Sequence, residues 1–174
     1  MRYVVLTIMG VFGVILTSSL LRDISIGDVP LQIDLVLLMA LSFAVVEKSS
    51  MPIIFAAVSG LLMDMMYSTI WGTYALCYTV VTALIVLFFR KAGRFNVLYL
   101  FVVGAGGYIV KELLMSLLVF IQGARFSMPV MLVYNILPSA VLTGGLMFAA
   151  YWLINRLMKN NWMRPRSTYR FDDI

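Results

Sequence analysis

The sequence predicts an all-α integral membrane protein, a bundle of six transmembrane helices whose N- and C-termini both lie in the cytoplasm. Of its 174 residues, 63% are hydrophobic and only 12% are charged, and the mean hydropathy is +1.00. A soluble domain carries charge on roughly a quarter of its residues. The apolar runs are continuous, whereas a membrane β-barrel alternates apolar and polar residues over segments of about ten. Both observations favour helices in a bilayer.

Six apolar runs divide the chain, and each is predicted to form a membrane-spanning helix, which needs about 20 residues. The first run follows Arg2 and continues over residues 3–21 without a charge. This is longer than the apolar core of a signal peptide, so we expect a retained first helix. The six helices are predicted at residues 3–21, 31–47, 52–68, 73–90, 97–121 and 130–156. We expect residues 1–158 to form one transmembrane domain and residues 159–174 to form a basic cytoplasmic tail.

The third and fourth runs are separated by only a few residues, which predicts a helical hairpin. The connection around residues 67–72 contains Tyr67 and Trp71, aromatic residues that suit the headgroup layer of a bilayer. Gly72 ends the connection just before the fourth run.

The distribution of basic residues sets the predicted orientation, because Lys and Arg in short loops tend to remain in the cytoplasm. In a six-span arrangement one side carries only Arg22 and Arg125. The other side carries ten basic residues: Arg2, Lys48, Arg90, Lys91, Arg94, Arg156, Lys159, Arg164, Arg166 and Arg170. This asymmetry predicts that both termini are cytoplasmic. It also explains the net charge of +5 by membrane topology, without nucleic-acid binding.

A small set of polar residues falls within the outer half of the predicted bundle: Asp34, Asp64, Lys111, Glu112, Asn135 and Pro138. A charged side chain in mid-membrane costs about 2.5–3.5 kcal/mol on insertion scales, so these groups should face inward and pair. Lys111 is expected to pair with Asp64 or with groups beside Glu112, and Asn135 to satisfy a backbone group near Pro138. The alternative is a polar pocket, open to the outside, that binds a small solute or a polar segment of a partner.

Lys111 and Glu112 are adjacent, so they lie about 100° apart around a helix. We therefore expect them to point to different places, which leaves one of them available to face a partner protein. In the tail, directly after a membrane helix, the basic residues Arg164, Arg166 and Arg170 are interleaved with the aromatic residues Trp162, Tyr169 and Phe171. That pattern is typical of contact with anionic lipid headgroups.

Several classes of chemistry are excluded by composition. The chain has no histidine, so Ser-His-Asp triads and Cys-His pairs cannot form, and the commonest metal ligand is missing. Cys77 is the one cysteine; it cannot form an intrachain disulfide and is expected to be a buried apolar residue. We predict no catalytic, cofactor-binding or metal-binding residues, and hence a protein that is not an enzyme.

Residues 51–84 contain a hairpin motif that consists of Gly60-Leu61-Leu62, Asp64, Gly72 and Tyr78. In this motif the stretch resembles MreD, a family of rod-shape-determining membrane proteins of bacteria. Two further pieces match, Asp34 followed by the apolar residues 35–38, and Tyr134-Asn135-x-x-Pro138. The family often has proline directly before the first of these aspartates, whereas here Ile33 precedes Asp34 and Pro30 lies further back.

The resemblance implies a non-enzymatic scaffold of the elongation complex in the bacterial inner membrane, with no cofactor. Its partners would be MreC most directly, then the actin-like MreB and the RodA glycosyltransferase with its class B penicillin-binding protein. Asp34, Asp64 and Asn135 would maintain the bundle. The implied fold is similar to that of the substrate-binding subunits of energy-coupling-factor transporters.

Two other functions stay open. A vitamin-binding subunit of an energy-coupling-factor transporter would share the fold, but the first helix lacks the Ala-x-x-x-Ala surface of such subunits, and Gly10 and Gly13 are spaced differently. An intramembrane aspartyl protease is the weakest alternative, because neither Asp34 nor Asp64 has the flanking residues expected of a catalytic dyad.

Overall fold

A computed structural model describes residues 10–17, 25–26, 29–30, 33–47, 49–68, 71–89, 97–121, 123 and 136–158. These residues form six helices and one short ladder. The helices are α1 (10–17), α2 (Leu35–Val46), α3 (Met51–Tyr67), α4 (Thr73–Phe89), α5 (Val97–Ile121) and α6 (Leu137–Met158). The strands β1 (Ser25–Ile26) and β2 (Val29–Pro30) pair antiparallel, with Ser25 opposite Pro30. The predicted helical class is confirmed for the described residues.

Two of the described helices are long and apolar enough to cross a membrane by length and composition. They cover Leu98–Ile121 in α5 and Leu137–Arg156 in α6. Three shorter apolar helices accompany them, at Leu35–Val46, Met51–Tyr67 and Thr73–Phe88.

The helix α2 lies at the centre of the bundle. It contacts α3, α4, α5 and α6, and a Cβ placed on Gly13 of α1 would lie 3.0 Å from the Met39 sulfur atom of α2. The residues of α2 that are buried include those on every side of the helix: Val36, Leu37, Leu38, Ala40, Leu41, Ser42, Phe43, Ala44 and Val45. This helix is apolar all round because neighbours surround it.

The boundaries of α2 and α3 follow from their end residues. Asp34 has an extended backbone, and its Oδ1 accepts a hydrogen bond from the Leu37 backbone N–H at 3.0 Å, which is the geometry of an N-cap. The predicted start of this helix at residue 31 is therefore wrong, because residues 33 and 34 are not helical. Pro52 lies in the first turn of α3, where its missing N–H costs no helical hydrogen bond.

The described boundaries of α3, α4 and α5 agree closely with the sequence patterns. The predicted ends of the first helix, at residues 3 and 21, lie outside the described residues. The prediction of 52–68 for α3 is shifted by one residue, and that of 97–121 for α5 matches the structure. In α6 the predicted residues 130–135 lie outside the described part of the chain, and the helix continues to Met158. The helices α3 and α4 form the expected hairpin.

The outer surface of the bundle carries large apolar side chains. Phe88 is 76% exposed, Trp71 and Leu98 are each 73% exposed, and Ile121 is 72% exposed. Soluble monomers rarely expose large contiguous apolar patches, whereas such patches mark contact with a partner or a membrane.

Candidate functional site

The α3–α4 hairpin is fixed by Asp64, which lies near the end of α3 and is 1% exposed. Its Oδ1 accepts a hydrogen bond from the Tyr74 backbone N–H at 2.8 Å, and its Oδ2 accepts one from the Ala75 backbone N–H at 3.0 Å. Tyr74 and Ala75 belong to the first turn of α4, whose N–H groups have no partner within their own helix. Asp64 therefore caps the neighbouring helix, and its negative charge lies at the positive end of that helix dipole.

Two glycines make this cap possible. A Cβ on Gly60 would lie only 2.5 Å from the Ala75 Cα and 2.8 Å from the Ala75 nitrogen, so α3 can approach the backbone of α4 only with glycine at this position. Gly72 has a φ of +98°, a conformation that residues with a side chain rarely adopt, and it turns the chain into α4. The hairpin motif predicted at Gly60, Asp64 and Gly72 is thus one structural unit.

A second buried cluster joins α2, α4 and α5 at the start of α2. The Asp34 Oδ2 accepts a hydrogen bond from the Tyr78 hydroxyl at 2.5 Å, and the Lys111 Nζ lies 3.4 Å from the same oxygen. The Lys111 Nζ also donates to the Glu112 Oε1 at 2.6 Å. The exposed fractions of Asp34, Lys111 and Glu112 are 5%, 6% and 6%, so three charges share a site that is nearly closed to solvent.

Aromatic rings enclose the Lys111 ammonium. Its nitrogen lies 5.3 Å from the centre of the Tyr108 ring and 6.0 Å from the centre of the Tyr74 ring. Both distances are within the range of an attractive cation–π contact, which is stronger where water is excluded. Tyr74 thus links the two clusters, because its backbone N–H binds Asp64 and its ring faces Lys111.

The structure corrects two expectations about pairing. Lys111 does not pair with Asp64; it binds Asp34 and Glu112, while Asp64 binds backbone N–H groups of α4. The expectation that Lys111 and Glu112 point apart, with one free to face a partner, is also wrong. The two side chains are long enough to meet from adjacent positions, and both are buried.

Among the other predicted residues, Pro138 is half-buried in the first turn of α6. Asn135 and the tail residues Arg164, Arg166 and Arg170 lie outside the described part of the chain. Cys77 is buried, as predicted.

Tyr78 and Tyr108 were missed as members of the cluster by sequence reasoning. Both are almost completely buried, at 0% and 1% exposure. A buried tyrosine hydroxyl usually has a hydrogen-bond partner. A tyrosine within an apolar run of the sequence therefore indicates that a polar group lies close to it in the fold.

The arrangement is suited to holding helices together. Asp34 and Asp64 make three capping hydrogen bonds, and each is accepted from a backbone N–H group. The other contacts join side chains of the cluster to one another. Within the described residues, no group of three His, Cys, Asp or Glu side chains is placed to hold a metal ion. Two apolar grooves lie away from the cluster, one between α1 and α3 beside Phe55 and one between α4 and α5 beside Phe88.

Comparisons with known protein families, with curated proteins and with solved structures give no match for this chain. Its class is therefore described by its own features, a helical bundle with two helices long and apolar enough to span a membrane and with buried polar helix caps.

Proposed function

We propose that this protein is a non-enzymatic scaffold subunit of the bacterial elongation complex, acting with MreC, MreB, RodA and a class B penicillin-binding protein. The observation that carries the proposal is the use of its buried polar groups. Asp34, Asp64 and Lys111 have partners on neighbouring helices or helix ends. Since these groups serve to hold the bundle, its activity is expected to lie in contacts made by its outer surface.

The resemblance to MreD supports the same function. The positions that carry it have a shared physical role, because Gly60, Asp64 and Gly72 build the hairpin and Asp34 binds Tyr78. Together these contacts fix the arrangement of α2, α3 and α4. A scaffold needs this property, since it presents fixed surfaces to several partners.

The proposed location is the bacterial inner membrane, with six spans and both termini in the cytoplasm. Support comes from the exposed apolar side chains of the bundle and from the ten-to-two asymmetry of basic residues. A topology reporter fused after Ile174 tests this orientation. Activity of a cytoplasmic reporter is the expected result, and activity of a periplasmic reporter would contradict it.

The second candidate is the vitamin-binding subunit of an energy-coupling-factor transporter. The observation in its favour is a polar cluster at the start of α2, in the half of the bundle where such subunits bind their ligand. The charges of this cluster lie against one another, however, with Lys111 between Asp34 and Glu112. That geometry favours a closed structural contact over a ligand pocket.

Affinity purification in a mild detergent separates the two functions. The full chain, tagged at one terminus, is expected to recover MreC or the RodA complex from the cells that encode it. A tagged membrane protein of unrelated function from the same cells is the control for adventitious capture. Recovery of ATPase subunits or of a tightly held vitamin instead would refute the scaffold function.

A further inference from the structure

A narrow apolar groove runs between α4 and α5 on the outer surface of the bundle. Its volume is about 270 Å³, and its walls include Val81 and Phe88 of α4 and Val102 and Val110 of α5. Phe88 is 76% exposed and Val102 is 55% exposed, so the groove is open to the surroundings along one side.

Gly106 forms part of the groove, and no contact with the described residues requires glycine there. Among those residues, a Cβ on Gly106 would meet nothing within 4 Å, whereas a Cβ on the adjacent Gly107 would lie 2.6 Å from the Leu41 Cδ1 atom. Gly107 is therefore explained by packing against α2. Gly106 instead leaves room in the groove, although glycine in a helix interior is unfavourable relative to alanine.

The length of the groove indicates what it can hold. Val102 and Val110 are eight residues apart, which is about 12 Å along a helix. The hydrocarbon core of a bilayer is about 30 Å thick, so the groove matches the depth of one leaflet. A partner's transmembrane helix would need a contact along the full thickness, whereas a single acyl chain needs only one leaflet.

The position of the groove along the chain indicates the charge of the lipid. Phe88 lies two residues before Arg90, and the connection from α4 to α5 also contains Lys91 and Arg94. In the proposed orientation this connection is cytoplasmic. Basic residues next to a membrane segment attract the anionic headgroups that are enriched in the cytoplasmic leaflet.

We propose that the α4–α5 groove binds one acyl chain of an anionic phospholipid, with the headgroup on the side of the Arg90–Arg94 connection. This inference rests on the proposed membrane location and orientation and is independent of the scaffold function. The lipid fills the space left by Gly106 and covers an apolar surface that the bundle does not bury.

Native mass spectrometry of the full chain, purified and delipidated in detergent, tests the proposal with phosphatidylglycerol and phosphatidylcholine as probes. The wild-type chain should bind one added phosphatidylglycerol and should bind phosphatidylcholine at least about tenfold more weakly. The Gly106→Phe variant fills the groove and should lose at least about tenfold in phosphatidylglycerol affinity. The Val110→Trp variant places a large side chain in the same groove and should lose phosphatidylglycerol affinity to the same extent.

The matched control is Gly145→Phe on α6, because a Cβ on Gly145 also meets nothing within 4 Å in the described part of the chain. This variant should bind phosphatidylglycerol like the wild type. Replacing Arg90, Lys91 and Arg94 by glutamine should remove the preference for phosphatidylglycerol over phosphatidylcholine.

Three outcomes would overturn the proposal: equal phosphatidylglycerol binding by the Gly106→Phe and Gly145→Phe variants, equal binding of the two lipids by the wild type, or a polypeptide helix bound in the groove. A chain absent from the membrane fraction would refute the proposed location. Failure to recover MreC with normal lipid binding would refute only the scaffold function.

Discussion

Asp34 and Asp64 are two buried aspartates that each cap a helix, but they do so with different partners. Among the described residues, the Asp64 carboxylate binds two backbone N–H groups, both in the first turn of α4. Asp34 caps its own helix with one oxygen and uses the other to bind the Tyr78 hydroxyl and the Lys111 ammonium. One aspartate closes a local hairpin, and the other ties together three helices that are distant in sequence.

The difference shows two ways of placing a carboxylate in an apolar interior. The hairpin uses the dipole of a helix end, which supplies positive charge without a basic residue. The cluster instead uses the Lys111 ammonium, which the Asp34 and Glu112 carboxylates share. Breaking one partner of a buried charged set leaves an uncompensated charge, which is costlier than losing a cap.

The Lys111→Met variant should have the largest effect, because it leaves Asp34 and Glu112 buried without their counter-charge. We expect a loss of about 3–5 kcal/mol in the free energy of unfolding. The measurement is equilibrium unfolding in detergent. Adding Glu112→Gln should recover part of the loss, and a Lys111→Met variant within about 1 kcal/mol of wild type would contradict the charged cluster.

The Gly60→Ala variant should come next, since its Cβ would overlap the backbone of Ala75, which cannot move like a side chain. We expect a loss of about 3 kcal/mol, at the upper end of the range for overpacking. Gly145→Ala is the matched control and should be neutral or slightly stabilising, because alanine is the better helix former. Similar melting temperatures for the two variants would show that α3 and α4 are not in close contact.

The Tyr78→Phe variant removes one hydrogen bond from the charged cluster and keeps the ring. Because the acceptor is a buried carboxylate, we expect a loss of about 2 kcal/mol in the free energy of unfolding. Thermal unfolding of this variant should be compared with that of Tyr67→Phe, whose tyrosine is only half-buried at the end of α3. An unchanged stability in Tyr78→Phe would argue against its bond to Asp34.

The Asp64→Ala variant should have the smallest effect of the four, because only a helix cap is lost. We expect a loss of about 1–2 kcal/mol, with Asp64→Asn retaining part of the stability through its one remaining carbonyl oxygen. Hydrogen exchange should become faster at the Tyr74 and Ala75 amides while the amides of α2 stay protected. Uniform loss of protection over α2 and α4 would mean that the hairpin and the cluster open together.

The same contrast explains what could be predicted from the sequence. Gly60, Asp64 and Gly72 lie close together in the chain, so the hairpin follows from a short pattern. The cluster does not, because residues 34, 78 and 111 meet only through the packing of α2 against α4 and α5. The sequence indicated that Lys111 should be buried and paired, as it is, but gave no means of choosing between Asp34 and Asp64 as its partner.

Helix ends were predictable to different degrees for a related reason. Hydrophobicity alone placed α5 correctly, since both of its ends coincide with polar sequence. The start of α2 depends on the Asp34 cap, and the apolar residues before it extended the predicted helix too far. The different roles of Gly106 and Gly107 could not be predicted from the sequence either, because the two adjacent glycines face different neighbours in the fold.

Depletion of the protein in the cells that encode it tests the scaffold function most directly. Rod-shaped cells are expected to become round as the protein is lost, and expression of the wild-type chain is expected to restore rods. Expression of the Lys111→Met variant should restore rods poorly, in proportion to its loss of folded protein in the membrane. Cells that remain normal rods after complete depletion would contradict the scaffold function.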